Sequence, residues 1–191
     1  MDSIDFVNLH RYQAIERIVY QKVKNLKPNI IVELGHGSGA LTVAMGLALK
    51  EVNNKGKIYS YDKIGDSPYE LNGVKGNSRK NIGKRNLTSI VNFIGGDVFN
   101  TWVSKPFSFD LLLIDIDNTW ETLYKILIGN KFINSEIKKG SKVFIEGGDK
   151  NHPRINQNTL DSFNSKFPKP IFKLKYLTGS GRTSISILEL W

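Results

Sequence analysis

Apolar residues recur along the first third of the chain at two different periods. From Asn8 to Lys27 they fall at Leu9, Tyr12, Ile15, Ile18, Val19 and Val23, the spacing of one face of a helix. Pro28 ends that pattern, because its ring locks φ and removes a backbone donor. Ile30 to Leu34 is then almost continuously apolar, as a strand covered on both faces reads. Gly35 to Gly39 predicts a loop. Ala40 to Lys50, apolar almost all round, predicts a helix packed on a sheet.

The alternation continues. After the turn signal Asn53 to Gly56, Lys57 to Asp62 predicts a second strand. Lys63 to Gly76 carries Gly65, Pro68, Gly73 and Gly76 and predicts a loop. A polar helix over Ser78 to Arg85 leads to a third strand, Ile90 to Ile94. Phe109 to Ile114 predicts a fourth strand, Thr119 to Lys138 one helix, Lys142 to Glu146 a fifth strand and Ile155 to Lys166 a helix. Lys173 to Leu177 and Ser184 to Leu190 predict a terminal antiparallel pair. Strands alternating with helices imply an α/β sheet with helices on both faces. We expect one domain, with residues 1–28 as a helical cap over the cleft and 29–191 as the core.

Composition narrows this picture. The 191 residues contain no Cys, which excludes disulfides, Cys-ligated zinc, iron–sulfur clusters and a cysteine nucleophile. The N-terminal stretch is acidic and polar, unlike a signal peptide, and no apolar run approaches the ~18 residues of a membrane span. The expectation is a soluble cytoplasmic protein without a membrane partner. The formal charge is +9, divided as +3 over residues 1–118 and +6 over 119–191. Of the basic residues 21 are Lys and 6 are Arg, so a solvated Lys surface is favoured over a nucleic-acid site built on Arg forks.

The chemistry concentrates at the ends of the predicted strands. Glu33-Leu34-Gly35-His36-Gly37-Ser38-Gly39 follows the first strand and opens a helix. Glycines there let a ligand lie against backbone, beside the positive end of the helix. Asp62 ends the second strand, where a carboxylate can accept both hydroxyls of a ribose. Gly95-Gly96-Asp97-Val98 follows the third strand and offers a loop carboxylate. At each position an ordinary turn or capping role is the competing reading.

Together with Phe109-Asp110-Leu111-Leu112-Leu113-Ile114-Asp115 at the fourth strand, this ordered set resembles the class I S-adenosylmethionine-dependent methyltransferases over residues 29–150. The resemblance implies a Rossmann-like doubly wound sheet of about seven strands, mostly parallel with an antiparallel C-terminal strand. It implies a cofactor site made by Glu33, Gly35, His36, Gly37, Ser38 and Gly39 toward the methionine half, Asp62 and Lys63 at the ribose, and Asp97 and Val98, with Phe99 nearby, at the adenine. Asp115 would stand near the reacting atoms.

Asp115-Ile116-Asp117-Asn118-Thr119-Trp120-Glu121 is similar to a stretch of the small-molecule O-methyltransferase subgroup, with Ile116 where a Gly is usual and Asn118 where a His is usual. By the same resemblance Asp115, Asp117, Glu146 and Asp149 would converge on a divalent ion, and hard oxygen ligands suit Mg²⁺ or Ca²⁺. Asp117 is alternatively placed to cap the helix from Thr119. His152 is a candidate general base. Trp120 and Tyr124, one helical turn apart, read as core in preference to an acceptor wall. The stretch 63–85 carries net +4 and suits an anionic small acceptor. The chain is therefore expected to methylate a small molecule at oxygen, with a homo-oligomer compatible. An RNA or protein methyltransferase, a non-catalytic cofactor-fold protein and a nicotinamide oxidoreductase stay as alternatives. The carboxylate just before the first glycine counts against the last, since it would oppose a pyrophosphate.

Overall fold

The computed structural model describes residues 4–7, 13–52, 55–63, 69–71, 74–117, 119–147, 149, 151, 158, 161–162, 165, 172–178 and 184–190. Seven strands form one sheet: β1 (Ile30–Leu34), β2 (Lys57–Asp62), β5 (Val91–Gly95), β6 (Leu111–Ile114), β7 (Lys142–Glu146), β8 (Phe172–Thr178) and β9 (Ile185–Leu190). Their order is β5-β2-β1-β6-β7-β9-β8. The first five are parallel, β9 runs antiparallel to β7, and β8 antiparallel to β9. This is the expected doubly wound sheet with its antiparallel C-terminal pair.

The sequence leaves β1 toward β2 on one side, and later returns to pair β6 on the other. Strand order therefore reverses at β1, and crevices at the carboxyl ends of such strands are where ligands of open α/β sheets bind. Leu34, the last residue of β1, is in register with Tyr61 of β2 and Ile114 of β6.

Both faces are covered. Helix α1 (Gln13–Leu26) buries Ile15, Val19 and Val23, spaced four apart, against α2 (Ala40–Glu51) and the Ile31, Ile58, Leu111 and Phe144 face of the sheet. The opposite face, with Val32, Leu34, Leu112 and Ile145, packs on α4 (Trp120–Leu127), α5 (Lys131–Lys138) and fully buried Trp102. No described residue of α1 lines the cleft at the carboxyl edge. It packs on one face of the sheet; residues 1–3 and 8–12 of the expected 1–28 cap lie outside the described residues.

Other expectations also change. The single helix over Thr119–Lys138 is two. The Tyr124 carbonyl receives the amides of both Ile128 and Gly129, closing α4. The Asn130 side chain then accepts from the amides of Phe132 and Ile133 and starts α5. Within the predicted 63–76 loop, β3 (Tyr69–Leu71) pairs antiparallel with β4 (Val74–Gly76). Helix α3 (Ser78–Lys84) follows. After β5 comes a π-helical turn, Phe99–Val103, which the apolar pattern did not announce. The helix expected over Ile155–Lys166 lies mostly outside the described residues; Asn158, Asp161, Ser162 and Ser165 are helical. No helix among the described residues is long and apolar enough to cross a membrane.

Candidate functional site

The glycine loop between β1 and α2 requires its glycines. Gly35, Gly37 and Gly39 have φ of 86°, 48° and 80°, a region that side chains disfavour. At Gly35 space is also absent: a Cβ would lie 2.0 Å from the Asp115 carbonyl oxygen. That close approach brings the end of β6 against the loop. The Asp115 amide donates to the Leu34 carbonyl at 2.8 Å, and the Gly35 amide to the Tyr61 carbonyl at 2.7 Å.

Asp62, at the end of β2, secures the loop. Its Oδ2 accepts from the amides of His36 and Gly37, each at 3.0 Å. Two cavities flank this carboxylate. A cleft of about 430 Å³ is lined by Gly35, Asp62, Lys63, Asp97, Val98, Phe99, Asp115, Ile116, Asp117 and Thr122. A smaller cavity of about 90 Å³ is lined by His36, Gly37, Ser38, Ala40, Leu41, Asp62 and Asp115. Asp62 and Asp115 belong to both, so the two cavities meet at a pair of carboxylates.

The small cavity faces the start of α2, where Gly39 is the N-cap and no side chain caps the helix. The His36 ring is buried against Phe93, edge to face at 4.8 Å. His36 Nδ1 lies 3.2 Å from the Gly37 carbonyl, and Nε2 is buried without a hydrogen-bond partner. A cavity at uncapped helix-start amides suits a small polar group bearing a carboxylate.

In the larger cleft Asp97 stands two residues before the π-helical turn. Its Oδ1 accepts from the Phe99 amide at 2.8 Å, while Oδ2 faces Lys63 Nζ at 3.8 Å. The Phe99 ring lies beneath Lys125 Nζ of α4, 4.2 Å from the ring centroid. Val98 is buried. The predicted residues at 35–39, 62–63, 97–98 and 115 are thus brought to one edge of the sheet.

Glu33 is elsewhere. Strand alternation sends its side chain to the α2 face, away from Val32 and Leu34, and it lines neither cavity. Its Oε2 accepts from Thr42 Oγ1 at 2.7 Å and Ser60 Oγ at 2.6 Å, while Oε1 is buried and unpartnered. Burial pushes its pKa up to about 7, with the two hydroxyls opposing that rise and the charge of Asp62 adding to it.

The carboxylate set expected to hold Mg²⁺ is not assembled. Among the described residues no group of three or more His, Asp or Glu side chains is positioned for a metal ion. Asp115 and Asp117 line the cleft, whereas Glu146 is buried at the end of β7. The amide of Asp149 donates to Ser184 Oγ, and Asp149 Oδ1 accepts from the amide of Asn151. The described residues alone do not make a site for the ion. The cap of α4 is Thr119, whose Oγ1 accepts from the Thr122 amide, and not Asp117. Trp120 and Tyr124 were expected in the core. Tyr124 is 42% exposed, with the two rings edge to face at 6.1 Å. His152 and Asn118 lie outside the described residues.

Sequence reasoning missed Ile116, Thr122, Ala40 and Leu41 as lining, although all four neighbour motifs it used. A wider cavity of about 640 Å³ opens at the opposite, amino edge of the sheet. Its carboxylates are engaged internally, Asp110 with the amides of Asn29 and Ile30 and Glu136 with Lys139, and it contains none of the predicted site residues.

No protein-family model matches the chain. No curated protein matches it in sequence. Solved structures share its fold. The S-adenosylhomocysteine-bound methyltransferase PaMTH1 of Podospora anserina superposes over 98% of this chain and 83% of its own, with a TM-score of 0.66 at 17% identity. The O-methyltransferase of Bacillus cereus in complex with S-adenosylhomocysteine covers 93% and 81%, with a TM-score of 0.62 at 14% identity. The O-methyltransferase TomG of Streptomyces achromogenes, involved in tomaymycin synthesis and in complex with S-adenosylmethionine, covers 93% and 79%, with a TM-score of 0.59 at 12% identity. The fold is that of S-adenosylmethionine-dependent methyltransferases.

Proposed function

We propose that the chain is an S-adenosylmethionine-dependent methyltransferase acting on a hydroxyl of a small molecule. The observation that carries this reading is the pair of cavities meeting at Asp62 and Asp115, at the point where strand order reverses. The small cavity has the character to hold the aminocarboxylate end, and the larger one the ribose and adenine. The carboxylates between them suit a sulfonium and disfavour a pyrophosphate, which argues against a nicotinamide cofactor.

The bound donor supplies an electrophilic methyl group on a good leaving group. The protein's own work is therefore alignment and, for a hydroxyl, removal of one proton. In this reading the glycine loop and Asp62 fix the donor's position. Asp97, Val98 and Phe99 hold the base end, with Lys63 at the rim. Asp115, half-buried between the cavities, attracts the cationic centre and is the candidate to accept the proton. His152 is the second candidate base, by its place in the chain after β7. No step is assigned to a metal, since the described carboxylates do not gather for one. The basic 63–85 stretch, net +4, supports an anionic acceptor.

Calorimetric titration with S-adenosylhomocysteine tests the reading. Wild-type protein binds it, and Asp62→Ala binds far more weakly. Absence of binding to the wild type would refute the assignment.

A further inference from the structure

The glycine loop has one internal backbone hydrogen bond, from the Gly39 amide to the His36 carbonyl at 2.7 Å. Its three left-handed glycines carry no side chains to pack and lose the most backbone freedom on folding, so its shape leans on outside partners. Asp62 fixes its first half. Its second half is held from α3: Asn81 Nδ2 donates to the carbonyl oxygen of Ser38 at 2.9 Å, and Ser78 backs Gly39 so closely that a Cβ on the glycine would lie 3.0 Å from Ser78 Cα.

Helix α3 has seven residues, too few to be stable alone, so what fixes it matters to the loop. Ile82 anchors it in the core shared with α2, and of its polar ties one comes from α2, where Lys50 Nζ donates to the Arg85 carbonyl at 3.1 Å. The other comes from the N-terminal segment. The Arg85 side chain is only 9% exposed. Its Nη1 donates to the Asn81 carbonyl at 3.1 Å and its Nη2 to the Phe6 carbonyl at 2.8 Å and to Asp5 Oδ1 at 3.1 Å, while Nε donates to the Asp5 carbonyl. Phe6 is buried edge-on to Tyr20 of α1, at 5.6 Å. Arg85 therefore holds the backbone of the residue whose side chain holds Ser38.

We infer that α3 is a splint between the N-terminal segment and the cofactor loop: Asn81 is a positioning residue for residues 35–39, and Arg85 makes the rigidity of that loop depend on residues 5–6. The inference rests on the methyltransferase reading only for the identity of the ligand the loop serves. Seating of the N-terminal segment then sets cofactor affinity without touching the cofactor, and whatever displaces that segment weakens cofactor binding.

The test is amide hydrogen exchange on the ligand-free full chain, read at residues 35–39 and 4–7, alongside titration with S-adenosylhomocysteine. Asn81→Ala speeds exchange in the loop and weakens binding about fivefold, the scale of one net hydrogen bond. Asn81→Asp, which turns a donor into a charged acceptor facing the Ser38 carbonyl, is worse than Asn81→Ala. Arg85→Met loosens residues 4–7 and the loop together, and Arg85→Lys, which keeps one donor toward Phe6, falls between it and wild type. Loop exchange unchanged in Asn81→Ala, or an Arg85→Met protein whose residues 4–7 loosen while the loop does not, overturns the splint. Failure of the wild type to bind S-adenosylhomocysteine overturns the cofactor reading instead, and the exchange measurements still decide the splint.

Discussion

Asp62 Oδ2 stands 3.0 Å from the amide nitrogen of Gly37 and equally near that of His36. One carboxylate oxygen at the end of β2 thus shapes the loop that separates the two cavities. Hydrogen bonds to a charged acceptor contribute about 1.5–3 kcal/mol each. Asp62→Ala removes two of them together with the carboxylate that lines both cavities. Binding of S-adenosylhomocysteine is expected to weaken at least about tenfold, measured by calorimetry; an affinity within twofold of wild type would show that Asp62 is only a turn residue.

Gly35 is constrained twice, by a φ of 86° and by the Asp115 carbonyl 2.0 Å from any Cβ. Gly35→Ala must move β6 or the loop, and is expected to cost about 3 kcal/mol or more. At about 2–4 °C per kcal/mol for a domain of this size, the thermal midpoint drops by several degrees. Gly83→Ala is the control. Nothing lies within 4 Å of a Cβ there, and the helical site gains up to about 1 kcal/mol. Equal midpoints for the two variants would contradict the packing described.

Asp115 lines both cavities beside the proposed position of the cationic sulfur. Attraction between unit charges 4 Å apart runs from about 1 kcal/mol in water to about 4 kcal/mol near a protein surface. Asp115→Asn is therefore expected to weaken binding of S-adenosylmethionine about tenfold, and that of the neutral S-adenosylhomocysteine much less. The ratio of the two dissociation constants is the readout. A parallel loss of both ligands would remove Asp115 from the reacting centre.

What was legible in the sequence was local. The run Ile30 to Leu34, the glycines behind it and the apolar helix from Ala40 specify strand, loop and helix within a score of residues, and β1, the loop and α2 lie where that pattern predicts. Asp62 and Asp97 were found because strand ends in a parallel sheet meet at one edge. The split of α4 from α5 escaped because apolar spacing runs on through Leu123, Ile126, Ile133 and Ile137, while the Asn130 cap shows only in hydrogen bonds. Asn72-Gly73 is a hairpin signal that was submerged among neighbouring glycines and Pro68. Glu33 is placed at the cofactor by the resemblance alone, whereas the period of two along β1 turns it away from the face of Val32 and Leu34. Asn81 was out of reach, since its partner Ser38 is 43 positions away and nothing in a polar helix marks which amide is used.

Glu33 also sets a pH dependence of stability. In the folded chain burial pushes its pKa up to about 7, against 4.5 for the exposed side chain. Between these values the folded state keeps a proton that the unfolded chain releases, so raising the pH favours unfolding. The contribution is complete below 4.5 and is lost as pH rises through about 7. With each unit of pKa difference equal to about 1.4 kcal/mol, the loss across the window is roughly 3 kcal/mol. Glu33→Gln keeps an oxygen for Thr42 and Ser60 and cannot ionise, so its stability lacks this fall. Urea midpoints of the two proteins should lie close together at pH 5, with the variant clearly the more stable at pH 8. Parallel pH profiles would mean that Glu33 stays ionised in the core, and that the hydroxyls of Thr42 and Ser60 outweigh its burial.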